Sequence, residues 1–323
     1  MLDKKIIRQH FEKASKSYDA AAVLQKEIAA RLSARLEYIK HQPERILDVG
    51  SGTGFLVRDM LKRYPEAQTV ALDLALNMSR AVAHTATVDR SKIVKKGGGW
   101  VHDLCSSLMP SARRRAHNLQ AVCGDAECLP FKQESFDLLV SSLMLQWSND
   151  LASTLAGFHH VLAPNGLLLF TTFGPDTLRE IRQSWAQVDN MPHTSTFADM
   201  HEIGDMLLQA GFLDPVTDME IITMTYANVR QLMRDIKNIG ASNSDSQRCK
   251  GLTGKDRFAA FEQAYEQFKT SEGLYPASWE VIYGHAWVGE GVKRRGTMTD
   301  AMPNTMPDSM SDKTRIIPIK EIK

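Results

Sequence analysis

Ile46-Leu47-Asp48-Val49-Gly50-Ser51-Gly52-Thr53-Gly54 decides how the rest of this chain is read. A short apolar strand runs straight into glycines at alternate positions, and residues 55–64 then follow helical periodicity. Strand, glycine turn and helix in that order open an α/β unit. Moving outward, 69–73 reads as a second strand and 76–84 as a helix. Three more strands are expected at 119–123, 136–142 and 166–173. The last of these, GLLLFTTF, is almost continuously apolar, as a strand buried on both faces must be. A helix at 149–162 and the turn Pro164-Asn165-Gly166 separate it from its predecessor. Strands alternating with helices imply a parallel sheet with right-handed crossovers.

The flanks differ. Residues 3–17 place Ile6, Ile7, His10, Phe11 and Ala14 on one helical face. Leu24, Ile28, Leu32 and Leu36 follow at four-residue steps, and Pro43 closes this helical arm. Past 175, amphipathic helices are expected at 176–188 and 199–210, the second capped by Gly211. Segments 216–226 and 279–288 suit antiparallel strands that complete the sheet, with helices near 228–239 and 255–270 between them. The chain thus divides into an arm or cap (1–42), a nucleotide-fold core (43–175), the rest of the core with inserted cap helices (176–289) and a tail (290–323) rich in Met, Pro, Thr, Asp and Ser. That tail is expected to be mobile, with IIPIKEIK able to dock as a short strand.

Composition narrows the class. With 43% hydrophobic and 24% charged residues the chain suits an ordinary soluble globular fold. A formal charge of +1 speaks against nucleic-acid binding by bulk electrostatics. No stretch of about 18 apolar residues and no signal-peptide core is present, so a cytoplasmic protein without membrane attachment is expected. Cys105, Cys123, Cys128 and Cys249 form no C-x-x-C pair and are expected as free thiols.

The glycine turn argues for a particular ligand. A dinucleotide fingerprint is G-x-G-x-x-G, but here Phe55 holds the third position and the acidic Asp48 precedes the turn, where a pyrophosphate would be repelled. A cofactor without phosphates fits better: S-adenosyl-L-methionine, with a cationic amino group that Asp48 can order. Asp73, 19 residues after Gly54, stands at the second strand end to accept both ribose hydroxyls. Asp125, in Gly124-Asp125-Ala126-Glu127 after the third strand, is suited to the adenine amino group. Asp48, Gly50, Ser51, Gly52, Gly54, Asp73, Leu74, Asp125 and Ala126 are therefore the expected cofactor-binding residues, and no metal is called for. The expected fold is a Rossmann-like class I methyltransferase: a mostly parallel seven-stranded sheet, helices on both faces and a helical cap.

Longer motifs sharpen this. The glycine turn, GDAECLPF (124–131), SFDLLVSSLMLQW (135–147) and FHHVLAPNGLLLFTTFGPDTLRE (158–180) together resemble the BioC family, the malonyl-[acyl-carrier protein] O-methyltransferases of biotin synthesis. The more specific pieces are Met144-Leu145-Gln146-Trp147, Trp185-Ala186-Gln187-Val188-Asp189 running into Pro192-His193, the stretch from Met233 to Ala241, and Gly273-Leu274-Tyr275-Pro276. The resemblance spans about 4–288 and departs from the family between 85 and 117 and in the tail. It implies methyl transfer to the free carboxylate of malonyl-acyl-carrier protein or malonyl-CoA, an early step toward pimeloyl and biotin.

That chemistry suits these residues. A malonyl carboxylate is ionised at neutral pH and is already the nucleophile, so no general base is needed. By resemblance Tyr18 lies over the methionine end of the cofactor. His193, in a loop, is a candidate hydrogen-bond donor to substrate; Arg234 and Lys237, three apart on one helix, are candidates to neutralise the acceptor carboxylate. Gln146 and Trp147 are expected to floor the pocket and Phe173 to wall it. Between Arg80 and Leu119 eight basic residues face two acidic ones, net +6, a candidate docking surface for an acidic carrier protein. Two other readings stay open: the same cofactor with a quinone or free dicarboxylic acid as acceptor, and a non-methylating assembly factor on the same fold.

Overall fold

The computed structural model describes residues 1–84, 118–248, 251 and 253–290, and the backbone of 314–318. The basic run between 85 and 117, Cys105 and Cys249 lie outside the described residues, as does most of the tail.

Three helices come first: α1 (Lys4–Ala14), the single turn α2 (Tyr18–Ala21) and α3 (Val23–Arg35). Asp3 caps α1 by accepting from the Lys5 and Ile6 N–H groups. The α/β core follows as β1 (Arg45–Val49), α4 (Phe55–Arg63), β2 (Gln68–Asp73), α5 (76–84), β3 (Leu119–Cys123), β4 (Phe136–Ser142), α6 (Leu151–Val161) and β5 (Leu162–Phe173). Next come α7 (Arg179–Ala186), α8 (Met200–Gln209), β6 (Phe212–Tyr226), α9 (Val229–Asn238), α10 (Lys255–Tyr265) and β7 (Tyr275–Val288).

The strands form one sheet in the order β3-β2-β1-β4-β5-β7-β6, with β7 antiparallel to both neighbours. This is the expected mostly parallel seven-stranded arrangement. An eighth strand, β8 (Thr314–Pro318), pairs parallel with β6 and begins two residues before the IIPIKEIK segment. Chain order reverses between β1 and β4, which opens a crevice at the carboxyl ends of β1, β2 and β4. The Pro164-Asn165-Gly166 turn sits inside β5: Phe136 pairs with Leu162 and Leu138 with Leu167, so the intervening residues loop out, with Asn165 at φ 60°.

Alternation along the strands builds two cores, one per face. Ile46, Leu138, Val140, Leu167 and Leu169 face α3, α4 and the cap helices, whereas Leu47, Leu139, Leu168 and Phe170 face α6 and α8. Both faces are dry, which is why β5 reads as a continuous apolar run. Gly284 on β7 is opposite Phe170, and a β-carbon there would come within 2.2 Å of the ring. Gly284→Ala is therefore expected to overpack the sheet and cost about 1–3 kcal/mol, read as a lower urea midpoint at unchanged slope.

The arm is held onto the sheet by charge as well as by packing. Arg31 on α3 pairs with Glu220 (2.5 Å), which also accepts from the Tyr283 hydroxyl, and Arg35 pairs with Asp218 at 3.1 Å. At the other end Leu2 bridges to Asp245, and the Ser17 hydroxyl donates to the Asn238 carbonyl at the end of α9. The N-terminal helices thus contact the end of α9 and the segment that follows it.

Candidate active site

Gly50 and Gly52 both take positive φ, 77° and 53°, which the turn from β1 into α4 requires. A β-carbon on Gly50 would come within 2.4 Å of the Met144 side chain, so the turn and the end of β4 are in close contact. Two neighbouring clefts, of about 640 and 320 Å³, lie against this turn, and Tyr18, Gly50, Gly52 and Ser142 line both. The larger is bordered by Asp73, Leu74, Asp125, Ala126 and Trp147, the smaller by Asp48, Ser51 and Gln25. All the expected cofactor residues except Gly54, which caps α4 behind the turn, thus converge on one place.

The three carboxylates differ in their surroundings. Asp48 is fully buried and neither of its oxygens has a hydrogen-bond partner. Burial, then the charge of Asp73, pushes its pKa up to about 8. Asp73 accepts from the Gly52 N–H at 2.9 Å and the Ala75 N–H at 2.8 Å. Burial raises its pKa to about 6, against the pull of those two hydrogen bonds and with a further upward push from Glu12. Asp125 accepts through Oδ1 from the Glu127 N–H and from Lys4 Nζ, which reaches down from α1 (2.9 Å). Lys4 also lies 3.2 Å from Glu127.

The roof comes from the arm. Ile7 and Phe11 on α1 line the larger cleft, and Phe11 packs edge-on against Trp147 at 5.3 Å. Glu12 caps α5 by accepting from the Leu76 and Asn77 N–H groups. Tyr18 stacks on Phe55 at 6.1 Å; burial, then Asp73 and Asp19, raises its pKa, so the phenol is protonated at neutral pH.

At the end of β4, Leu143 adopts φ 53°, held by hydrogen bonds from its N–H to both the hydroxyl and the carbonyl of Thr171. This turns Met144 and Trp147 into the cleft. Gln146 braces the same turn, donating to the Leu143 carbonyl at 2.6 Å and accepting from Thr172; it does not line the cleft itself.

The remaining candidates lie elsewhere. Phe173 packs on Trp279 and Phe197 in the core. His193 stacks on Trp185 at 3.8 Å, which stacks in turn on Phe261. Asp189 receives a hydrogen bond from His193 (2.8 Å) and pairs with Arg257. Burial works to raise the Asp189 pKa, but Arg257, the Met191 N–H and His193 outweigh it and bring it down to about 2. Arg234 and Lys237 are exposed on α9, the helix whose end is tied to the arm. No cluster able to hold a metal ion occurs among the described residues, and no helix among them is long and apolar enough to cross a membrane.

Sequence reading missed Lys4, Gln25, Leu143 and Thr171. For Lys4 and Gln25 no local signal exists, since each reaches the site only by docking of the arm. Leu143 is an apolar residue in a left-handed turn, which no propensity announces.

A methyltransferase-domain family model matches residues 20–214, more than half the chain. The fold agrees: a Bacillus subtilis protein, YcgJ, superimposes with TM-score 0.53 at 15% identity, covering 80% of this chain and 98% of its own. Two curated relatives narrow the class. Malonyl-[acyl-carrier protein] O-methyltransferase of Gallionella capsiferriformans is 46% identical, covering 89% of this chain and 91% of its own. The protein of the same name from Nitrosospira multiformis is 44% identical over 88% and 89%. The chain belongs to the malonyl-[acyl-carrier protein] O-methyltransferase family.

Proposed function

We propose that the chain binds S-adenosyl-L-methionine in the paired clefts and uses it to esterify the free carboxylate of a malonyl thioester, with malonyl-acyl-carrier protein as the acceptor that its relatives' names indicate. Asp48 carries the cofactor reading. A fully buried carboxylate with two unpartnered oxygens calls for a cation, and the amino group of that cofactor supplies one. The neighbouring strand ends offer the other matches: Asp73 for the ribose hydroxyls and the unengaged oxygen of Asp125 for the adenine amino group.

The cofactor, held by Asp48, Asp73 and Asp125, would supply an electrophilic methyl group on a sulfonium that leaves a neutral thioether. An acceptor carboxylate oxygen provides the electron pair for the new O–CH₃ bond, so this chain has no proton to remove. Its residues orient the reactants and exclude water. Ile7, Phe11, Leu143, Met144 and Trp147 give the larger cleft apolar walls. Tyr18, kept protonated, lines both clefts. Arg234 and Lys237, exposed on α9, are proposed to steer the acceptor's charge. His193, with Asp189, Arg257 and Trp185, is assigned to holding α7 against α10.

Incubating the protein and cofactor with malonyl-acyl-carrier protein, malonyl-CoA and succinyl-CoA tests the acceptor. A base-labile methyl ester is expected on the malonyl species alone, detected by intact mass. Methylation of none of the three, or of succinyl-CoA equally, would remove the malonyl reading.

A further inference from the structure

The smaller cleft has an unusual balance of polar atoms. Four buried oxygens on its lining residues have no hydrogen-bond partner: both carboxylate oxygens of Asp48, the Ser51 hydroxyl and Oε1 of Gln25. A buried acceptor without a donor costs about 1–3 kcal/mol, and a folded protein seldom carries several together. All four can accept, although the serine hydroxyl and the protonated form of Asp48 can also donate. Their common complement is a group with several N–H donors and a positive charge.

Gln25 is the outlier among them. Asp48 and Ser51 belong to β1 and its turn, where the fold binds ligands in any case. Gln25 comes from the first turn of α3, in the arm, and its neighbours Leu24, Ile28 and Ala29 are buried in the core. The α3 register is therefore fixed by packing on the sheet, and that packing sets the Gln25 amide against the glycine turn. Lys26, the next residue, points outward and bonds the Asp19 carbonyl instead.

We propose that Gln25 is a cofactor-contacting residue: its amide oxygen accepts from the ammonium of the cofactor's amino-acid end, sharing that group with Asp48. The inference rests on the cofactor reading above and deepens it. It makes the arm part of the cofactor site, so that the docked arm and the bound amino-acid end support each other.

The test compares two ligands that differ only at that group, S-adenosylhomocysteine and its des-amino analogue, by calorimetry on the full chain. Gln25→Met keeps length and packing while removing the amide. It is expected to weaken S-adenosylhomocysteine about tenfold and to leave the des-amino analogue within about twofold. Gln25→Ala should give the same difference, which guards against a packing defect in either variant. An equal loss for both ligands means a structural role, and no loss for S-adenosylhomocysteine means no contact; either result overturns the proposal while the cofactor reading stands. If the unaltered protein binds neither ligand, the cofactor reading itself falls, and Gln25 with it.

Discussion

Asp73→Ala is expected to weaken S-adenosylhomocysteine binding by at least about 100-fold, because the carboxylate anchors the glycine turn and, in the proposed complex, also holds the ribose. One oxygen holds the Gly52 N–H and the other the Ala75 N–H, which leaves lone pairs on each for the two ribose hydroxyls. Hydrogen bonds to a charged group contribute about 1.5–3 kcal/mol each, so losing two gives roughly 10²–10⁴ in affinity. Losing the Gly52 anchor also frees the turn proposed to approach the nucleoside. With a pKa near 6 the group is mostly ionised at pH 7.5, where calorimetry is to be done. A variant with an unchanged circular dichroism spectrum and an affinity within about threefold of the parent would refute the assignment.

Asp48 yields the second large effect, and it depends on pH. In the ligand-free protein its pKa is about 8, well above the ordinary carboxylate value. At pH 7 about 90% of the free protein then carries a proton on Asp48. Pairing with an ammonium ionises it, so binding of S-adenosylhomocysteine at pH 7 is expected to release close to one proton. Calorimetry in buffers of different ionisation enthalpy counts that proton. Asp48→Asn should release about none and bind at least about tenfold more weakly. A proton count near zero for the parent protein would remove Asp48 as the cation's partner.

The same shift has a stability consequence with a definite sign. The folded chain holds the Asp48 proton between about pH 4 and 8 while the unfolded chain has lost it, so this group's contribution to stability falls as pH rises through that window. The thermal midpoint of Asp48→Asn relative to the parent is therefore expected to climb from pH 5 to pH 8. Ionising this buried carboxyl as pH rises thus makes the protein less stable.

Much of this molecule is legible in local pattern. Short apolar runs alternating with helical segments mark the seven core strands, and β1 and β4 end where the turns begin. Glycines at alternate positions mark Gly50 and Gly52 as a tight turn, because few other residues adopt their positive φ. Asp48, Asp73 and Asp125 were found as strand-end carboxylates, and sheet order then makes their strands neighbours. Each of these signals lies within a few residues of the feature it predicts.

The substrate side was less legible for the same reason. His193 sits in a plausible loop, yet its ring is held by Trp185 and Asp189, a stack that no spacing reveals. Phe173 ends β5 as expected but turns into the core. What the residues alone determined is the parallel sheet, its glycine turn and three carboxylates at its edge, because periodicity and backbone preference are local properties. Tertiary structure alone decided how the site is roofed: Lys4 meets Asp125 across 121 positions, and Gln25 comes to Asp48 only because α3 packs on the sheet. Contacts of that range are set by how whole faces bury one another, and no short stretch of sequence carries them.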